Sequence, residues 1–296
     1  MIGAFIQSCR PREWTKNVLV FAALVFSNHL FDQSYFLRSL AAFFLFSFTA
    51  SSIYLLNDLA DREKDRAHPK KKNRPIASGR LPVGAARAGI ALLAIPSFLA
   101  GYYLSREFGI ALAIYFAINV AYSYKLKNSV IIDVLIISLG FLIRAIAGVE
   151  ALRAIDPSVV LSPWLLVCTF FASLFLAVGK RRAELMLLEG GAASHRASLM
   201  KYSLPLTDLI MSVTVGATVL SYALYTIWPD TVTKFGTDRL IYTVPFVAYG
   251  LFRYCYLVFQ MGKGGNPAEA LLADRPMGVN ILLWLGAVLA ILYVHG

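Results

Sequence analysis

Long apolar stretches recur along the whole chain, and they restrict its fold more than any other feature. Stretches such as Ala41–Leu56 are apolar on every side, and 58% of all residues are hydrophobic. A bilayer core requires roughly 20 mostly apolar residues per helical span, whereas transmembrane β-strands show segments of about 10 residues with alternating polarity. These stretches are continuous rather than alternating, so they predict an all-α, polytopic membrane protein.

The apolar stretches predict nine transmembrane helices in a single domain that covers residues 1–296. The first predicted span is short, which suits a tilted or partly interfacial segment. The nine predicted spans are Val18–Leu30, Phe36–Leu56, Ala86–Leu104, Phe108–Tyr122, Val130–Val149, Pro163–Val178, Leu204–Trp228, Leu240–Met261 and Val279–Val294.

Positive charge is concentrated on one side of these spans. The net charge is +11, and most Lys and Arg lie in the N-terminus and in segments 57–85, 123–129, 179–203 and 262–278. Cytoplasmic loops carry an excess of basic residues, so we expect a cytoplasmic N-terminus and an external C-terminus. Because this bias accounts for much of the net charge, no nucleic-acid partner is required.

An acidic cluster ends the second predicted span. Asn57, Asp61 and Asp65 are spaced i, i+4, i+8, and Asp58 precedes Asp61 by three residues. On a continuous helix these groups share one face, where like charges repel. Carboxylate and amide oxygens suit Mg²⁺, which takes one or two protein carboxylates and completes its shell with water and phosphate oxygens. We therefore predict that these four residues are metal ligands; the alternative is a solvated helix end whose acids pair with neighbouring basic residues.

Basic residues follow the acidic cluster. Arg74 precedes Pro75, which fixes it in a turn, and an arginine held in this way offers two parallel donors to a phosphate. Lys70–Lys72 are expected only to attract anionic lipid head groups. The basic residues before the first span, including Lys16, are either phosphate ligands or orientation signals.

Two later spans carry charged or aromatic residues whose roles the sequence leaves open. Tyr122 and Lys127 follow the fourth span, where an aromatic belt with snorkelling lysines is an equally good interpretation. Asp133 and Arg144 lie inside the fifth span. Ionisable groups within a span are costly and usually functional, but a structural contact between helices is the alternative.

The sixth span ends in the sequence Gly-Lys-Arg-Arg-Ala-Glu at residues 179–184. On a helix, Lys180, Arg181 and Glu184 share one face, and they are candidate substrate contacts. The positive-inside bias could produce the same basic run.

Two of these motifs resemble those of a known family. Asn57-Asp58-x-x-Asp61-x-x-x-Asp65 resembles the first aspartate-rich motif of the UbiA superfamily of intramembrane prenyltransferases, and Tyr122-Ser123-x-x-Leu126-Lys127 resembles its Tyr/Lys motif. The resemblance covers essentially the whole chain and implies one UbiA-type bundle of nine transmembrane helices.

The sixth span departs from that family pattern. Most members have a second aspartate-rich motif after the sixth helix, where this chain has one acid among three cations. A ligand that carries a diphosphate and a distant phosphate, such as phosphoribosyl pyrophosphate, would suit acids at one end and bases at the other. The chain is similar to the decaprenyl-phosphate phosphoribosyltransferase branch in four segments: Arg10–Asn17, Asp61–Pro69, Arg74–Ala77 and Gly140–Gly148.

The resemblance implies a Mg²⁺-dependent enzyme of the bacterial inner membrane with its site facing the cytoplasm. It would transfer 5-phosphoribose from phosphoribosyl pyrophosphate to a polyprenyl phosphate, release pyrophosphate and supply a precursor of cell-wall arabinan. Asp58, Asp61 and Asp65 would be catalytic through the metal. The predicted substrate-binding residues are Lys16, Asn57, Arg66, Arg74, Tyr122, Lys127, Arg144, Lys180, Arg181 and Glu184.

Lys16, Tyr122 and Lys127 are assigned to the pyrophosphate or lipid-phosphate region, and the ribose substrate's phosphates are assigned to Arg74, Lys180 and Arg181. A lipid phosphate is already ionised near neutral pH, so no general base is required. The four histidines, at positions 29, 68, 195 and 295, are therefore left out of the site.

Two other functions remain open at this point. One is prenyl transfer to an aromatic or quinone-precursor acceptor by an enzyme of the same fold, and the other is a transporter or lipid carrier. Membrane lipid is an expected partner in each case. Small residues on helix surfaces would also permit association into a homo-oligomer.

Overall fold

The computed structural model describes residues 1–27, 29–69, 71–160, 162–189, 199–262, 264–265 and 273–293. Helices account for nearly all of this part of the chain, which contains no β-strand. Eight of its helical segments are long and apolar enough to cross a membrane. The predicted all-α class is confirmed, and the chain is an integral membrane protein.

The α-helices are numbered here in chain order. They are α1 (Ile2–Cys9), α2 (Ala22–Val25), α3 (Gln33–Ala60), α4 (Arg62–Ala67), α5 (Val83–Leu104), α6 (Arg106–Tyr124), α7 (Ile132–Arg153), α8 (Pro163–Glu189), α9 (Leu204–Ile227), α10 (Pro229–Phe235), α11 (Val244–Phe259) and α12 (Arg275–Tyr293). Short 3₁₀ helices occupy Pro11–Phe21, Lys71–Asn73, Leu126–Asn128, Leu199–Lys201 and Arg239–Thr243.

Eight of the nine predicted spans correspond to these long helices, but the first does not. The prediction Val18–Leu30 falls on the end of the 3₁₀ helix Pro11–Phe21 and on the single turn of α2. As an α-helix its length would rise only about 20 Å, short of a bilayer core. The count of nine is therefore not confirmed by the described residues.

The first compact unit comprises Met1–Ser129 and Gly140–Val160. Within it, α3 packs against α5 and α6, and the 3₁₀ helix Pro11–Phe21 lies against α3. Its core joins aliphatic and aromatic side chains from the N-terminal segment and from α3, α6 and α7, including Val20, Phe46, Leu112, Tyr115 and Ala147. This packing fixes the N-terminal segment beside the helix that carries the acidic cluster.

The second compact unit comprises Val130–Leu139 and Leu161–Gly296. Here α8 packs against α9, and α11 packs against α12. Its core includes Phe175, Val178, Met211, Tyr254 and Val258. Helix α7 contributes its first turns to this unit and the remainder to the first. That residues 1–296 act as a single domain stays a prediction.

Candidate functional site

The acidic cluster lies at a break between two helices of the first unit. Asn57 and Asp58 occupy the last turn of α3, Asp61 is its C-terminal cap, and Asp65 lies on α4. We predicted one uninterrupted helix, and the structure instead interrupts it at Asp61. Backbone bonds from Asp61 N to Asn57 O (3.0 Å) and from Asp65 N to Asp61 O (2.8 Å) preserve the helical spacing across the break.

Two arginines outside α3 and α4 bind the acids. Arg10 Nη2 donates to Asp58 Oδ1 at 2.5 Å, and Arg74 Nη1 donates to the same oxygen at 3.0 Å. Arg74 Nη1 also lies 2.8 Å from Asp65 Oδ2. The side chains of Asp58 and Asp65 are only 3% and 4% exposed. Buried carboxylates are costly unless they are paired, and these arginines supply the pairing.

A lysine from another motif binds the third acid. Lys127 Nζ donates to Asp61 Oδ1 at 2.6 Å. Lys127 is buried in the 3₁₀ helix that follows α6, and Tyr122 is buried on the last turn of α6. The two motifs on which the family resemblance rests therefore meet in one cluster.

Among the described residues, Arg62 and Arg66 pair with Glu63 rather than with the cluster, contrary to the solvated-helix alternative. Arg62 lies 3.7 Å from Glu63, and Arg66 lies 3.2 Å from the same carboxylate. Arg66 also donates through Nε to Ala77 O at 3.1 Å. These bonds tie Arg66 to Glu63 and to the turn that follows α4. The contact of Arg66 with substrate stays a prediction.

That turn holds Arg74 in place. Arg74 N donates to Lys71 O at 2.9 Å, and Arg74 O accepts from Ser78 N at 2.9 Å. The same segment places Ile76 and Leu81 in a small apolar core with residues of α1, α3 and α5. The predicted pinned arginine is thus anchored by its own backbone and by buried neighbours.

The donor set of the cluster suits Mg²⁺. Within the described residues, the bonds above occupy one oxygen of each of Asp58, Asp61 and Asp65, and Asn57 Oδ1 is buried without a hydrogen-bond partner. In that part of the chain no three acidic, His or Cys side chains converge as a ready-made metal cluster. Mg²⁺ takes only one or two protein carboxylates and fills its shell with water and phosphate oxygens, so the residues present fit this ion together with a phosphate ligand.

Arg144 lies in the core of the first unit and makes three hydrogen bonds there. It donates through Nε to Asn17 Oδ1, through Nη1 to Gly140 O and through Nη2 to Tyr115 OH, each at 2.7 Å. It is only 4% exposed, and its guanidinium also faces the rings of Phe46, Tyr115 and Phe141. These contacts favour the structural alternative over the predicted contact with substrate. Lys16, in contrast, is partly exposed and pairs with Glu13 at 2.5 Å.

Asp133 lies in the second unit, where it accepts hydrogen bonds from two side chains. Arg181 Nε donates to Asp133 Oδ2 at 2.9 Å, and Tyr202 OH donates to Asp133 Oδ1 at 2.7 Å. Arg181 Nη1 also binds Glu184 at 2.7 Å, and Arg181 is 2% exposed. Burial and the bond to Asp133 raise the pKa of Tyr202, so its hydroxyl remains a donor. Lys180 is exposed, and the substrate contacts predicted for Lys180, Arg181 and Glu184 stay predictions.

The structure describes two of the four histidines, His29 and His68. His68 Nδ1 accepts from Lys71 N at 3.3 Å, and His29 lies 3.4 Å from Asp32 and 3.5 Å from Asp156. Lys70, His195 and His295 are outside the described residues, as are parts of the predicted basic segments 179–203 and 262–278.

Sequence reasoning missed Arg10 as a member of the site. Its signals were a basic N-terminal run, which orientation also explains, and its place in the segment Arg10–Asn17 that resembles the branch; neither indicated a contact with the acids. Arg10 adopts a left-handed backbone (φ 51°) where α1 ends, and this turn directs it towards a carboxylate 48 residues away in sequence.

Comparison with protein families and curated proteins gives concordant matches. The model of the UbiA prenyltransferase family matches residues 17–273. The decaprenyl-phosphate phosphoribosyltransferase of Mycolicibacterium smegmatis is 36% identical over 99% of this chain and 93% of its own length. The proteins of the same name from Corynebacterium glutamicum and Mycobacterium tuberculosis are 37% and 33% identical; they cover 99% and 97% of this chain, and 88% and 94% of their own lengths.

Solved structures match the fold over the same extent. A UbiA homolog from Archaeoglobus fulgidus bound to GPP and Mg²⁺ superposes with a TM-score of 0.71 and 16% identity, covering 98% of this chain and 99% of that one. A digeranylgeranylglyceryl phosphate synthase superposes with a TM-score of 0.66 and 19% identity, covering 98% of each chain. At these identities the likeness concerns the fold alone.

Proposed function

The chain belongs to the UbiA prenyltransferase family, and from that premise we propose that it transfers 5-phosphoribose from phosphoribosyl pyrophosphate to a polyprenyl phosphate and releases pyrophosphate. The observation that carries this proposal is the sequence identity of 33–37%, over nearly the whole chain, to relatives named decaprenyl-phosphate phosphoribosyltransferase. The proposed product is a lipid-linked precursor of cell-wall arabinan.

The acidic cluster supplies the residues that would hold the metal. Asp58, Asp61 and Asp65 each retain an oxygen outside the bonds to Arg10, Arg74 and Lys127, and Asn57 adds an amide oxygen. Mg²⁺, when bound, would neutralise and orient the departing pyrophosphate. A UbiA homolog solved with GPP and Mg²⁺ supports this choice of ion.

The basic residues of the cluster would stabilise the negative charge that develops on the leaving group. Displacement at the anomeric carbon of ribose passes through an oxocarbenium-like state, as in other glycosyl transfers, so negative charge accumulates on the leaving pyrophosphate. Fixed cations lower the energy of such a state because they are oriented before the reaction begins. Arg74 and Lys127 meet this requirement, since each is held within hydrogen-bond distance of an anchored aspartate.

The acceptor needs no proton removed. The attacking oxygen belongs to a phosphate that is ionised at neutral pH, so no histidine is required as a base. The protein would have to bind this oxygen near the anomeric carbon and hold it in line with the leaving group. Lys16 and Tyr122 are proposed contacts for the lipid phosphate or the pyrophosphate, and Lys180 and Arg181 are proposed contacts for the 5-phosphate.

We place the protein in the bacterial inner membrane with the acidic cluster at the cytoplasmic face. The excess of Lys and Arg in the segments on one side of the spans supports this orientation. Self-association into a homo-oligomer is also proposed, from the small residues on the helix surfaces.

A donor comparison tests this function. Purified protein in detergent would receive either labelled phosphoribosyl pyrophosphate with a polyprenyl phosphate, or a labelled isoprenyl diphosphate with an aromatic acceptor, each with Mg²⁺. We expect lipid-extractable label only from the first pair, carried by a product that releases ribose 5-phosphate on mild acid hydrolysis. Consumption of the isoprenyl diphosphate, without product from the first pair, would assign the protein to prenyl transfer instead.

A further inference from the structure

Arg10 differs from the other cations of the acidic cluster in how it is held. Arg74 bridges two carboxylates and is fixed by backbone bonds on both sides of its turn. Arg10 binds one oxygen through one nitrogen, and that oxygen, Asp58 Oδ1, is already bound by Arg74. Its contact with Asp58 is therefore the one that the cluster can lose without leaving a buried carboxylate unpaired.

The guanidinium of Arg10 also has donors to spare. A guanidinium carries five N–H groups in a planar fork, and among the described residues Arg10 uses one of them, on Asp58. It also lies over the ring of Tyr54, whose centroid is 5.1 Å away. The Arg10 side chain is 28% exposed, whereas that of Asp58 is 3% exposed. Within this ion pair, the guanidinium is therefore the group that a ligand can reach. Its planar fork of N–H donors suits a phosphate.

Arg10 lies at the junction between two helices. Helix α1 ends at Arg10 with a left-handed conformation, and a new 3₁₀ helix begins at Pro11. Ile2 and Ile6, one turn apart on α1, are exposed. A side chain at the junction of two short helices can change its partner with a small local rotation, while Asp58 stays fixed in α3.

From these observations we propose that Arg10 is a diphosphate-binding residue that exchanges partners. Before substrate arrives it neutralises Asp58, and when the metal–diphosphate complex binds it leaves Asp58 for a phosphate oxygen. Asp58 then keeps only Arg74, and its carboxylate would meet the metal with one cation fewer beside it. This inference rests on the proposed function, and it adds a residue and a binding order to it: a metal without a diphosphate is opposed by the positive charge of Arg10 at Asp58, whereas a metal with a diphosphate offers Arg10 a new partner.

The exchange predicts effects of opposite sign on two affinities. Replacing Arg10 with alanine removes the competitor for Asp58, so Mn²⁺ alone should bind roughly two- to fivefold more tightly, the equivalent of one partly exposed ion pair. The same change removes a charged fork from the diphosphate, so pyrophosphate should bind about 10- to 100-fold more weakly at a fixed Mg²⁺ concentration. A residue with a purely structural role would lower both affinities or neither.

The experiment measures both affinities on the full chain in detergent. Free Mn²⁺ would be followed by electron paramagnetic resonance, and labelled pyrophosphate by equilibrium dialysis with Mg²⁺ held constant. Arg80→Ala is the matched control, because Arg80 is an exposed arginine of the same unit that binds Gln7, Asn73 and Ser78 rather than an acid. It should leave both affinities unchanged.

A second variant guards against loss of folding. Arg10→Lys keeps the charge but not the fork, so Mn²⁺ affinity should stay near that of the wild type while pyrophosphate still binds more weakly. Changes of the same sign in both affinities for Arg10→Ala, or wild-type binding of pyrophosphate by both variants, would overturn the proposal. Because neither measurement uses phosphoribosyl transfer, opposite changes without any transfer activity would uphold the exchange and reject only the proposed donor.

Discussion

Lys127 Nζ lies 2.6 Å from Asp61 Oδ1, although the two residues are 66 positions apart in the sequence. Lys127 is buried, and the Asp61 side chain is 24% exposed. This pair joins the end of α6 to the break between α3 and α4. It places a fixed positive charge next to the most accessible carboxylate of the cluster.

Replacing Lys127 with methionine should therefore impair catalysis more than folding. The change leaves Asp61 without its cation and removes positive charge near the leaving group, so kcat/KM for transfer should fall about 10- to 100-fold, a loss of ~1–3 kcal/mol. Lys125→Met, at an exposed lysine of the same loop, is the control and should keep most of the activity. Wild-type kcat/KM in the Lys127 variant would show that the pair has no catalytic role.

Replacing Arg144 with leucine should reduce stability. The change leaves Asn17 Oδ1 and Tyr115 OH without the donor that Arg144 supplies, at about 1–3 kcal/mol for each polar group that stays buried and unsatisfied. Gly140 O loses its side-chain donor but lies inside α7, where the helix backbone supplies another. We expect Tm to fall by several degrees, as measured by thermal unfolding in detergent.

Arg153→Leu on the same helix is the control for Arg144. Arg153 is 45% exposed in its side chain and pairs with Glu150, and exposed pairs of this kind contribute about 0–1 kcal/mol. If Arg144→Leu instead kept its Tm but lost affinity for substrate, the predicted contact of Arg144 with substrate would stand in place of the structural role.

Gly148 provides a test of how the N-terminal segment is positioned. A Cβ at this position would lie only 2.1 Å from the backbone oxygen of Val20. Gly148→Ala must therefore displace the 3₁₀ helix that begins after Arg10 and contains Lys16. We expect a loss of roughly 1–3 kcal/mol, measured as a lower Tm. Gly286→Ala, where no atom lies within 4 Å of the new Cβ, should be neutral or slightly stabilising. Equal Tm values for the two variants would contradict this packing.

Tyr202 should contribute to stability through Asp133. Its hydroxyl accepts from Ile131 N at 2.8 Å and donates to Asp133 at 2.7 Å. Tyr202→Phe removes both bonds, and we expect a cost of about 1–3 kcal/mol. In a double-mutant cycle with Asp133→Asn the two losses should be non-additive, since contacting residues couple. Tyr242→Phe, at a residue 72% exposed, is the control, and additive losses at positions 133 and 202 would contradict the coupling.

The sequence predicted most of the fold because the bilayer imposes one simple rule. Spans must be long, apolar and helical, and eight of the nine predicted spans follow it. Val18–Leu30 is not confirmed as a span, because its described residues include the end of a 3₁₀ helix and one turn of α2, and both lie against α3. Apolar residues serve a transmembrane span and packing against a neighbouring helix alike. Nothing in local periodicity distinguishes these two uses of an apolar stretch.

The sequence indicated which acids lie close together, but it did not indicate which cations pair with them. The spacing of Asn57, Asp61 and Asp65 indicated a shared face, and the structure preserves that spacing across a break at Asp61 that the sequence did not reveal. The partners Arg10 and Lys127 reach the acids from 48 and 66 residues away. Such pairings depend on how helices pack, and a basic residue near a membrane surface carries no local sign of them.

One assay with variants of two nearby acids, Asp61 and Glu63, tests most directly whether phosphoribosyl transfer takes place at this acidic cluster. Labelled phosphoribosyl pyrophosphate, Mg²⁺ and a polyprenyl phosphate would be incubated with the wild type, Asp61→Asn or Glu63→Gln, and label would be counted in the lipid fraction. Glu63 is 73% exposed and contacts only the flanking Arg62 and Arg66 among the described residues. We predict label with the wild type and with Glu63→Gln, and its loss with Asp61→Asn or after addition of EDTA. Equal labelling by Asp61→Asn and the wild type would contradict the account.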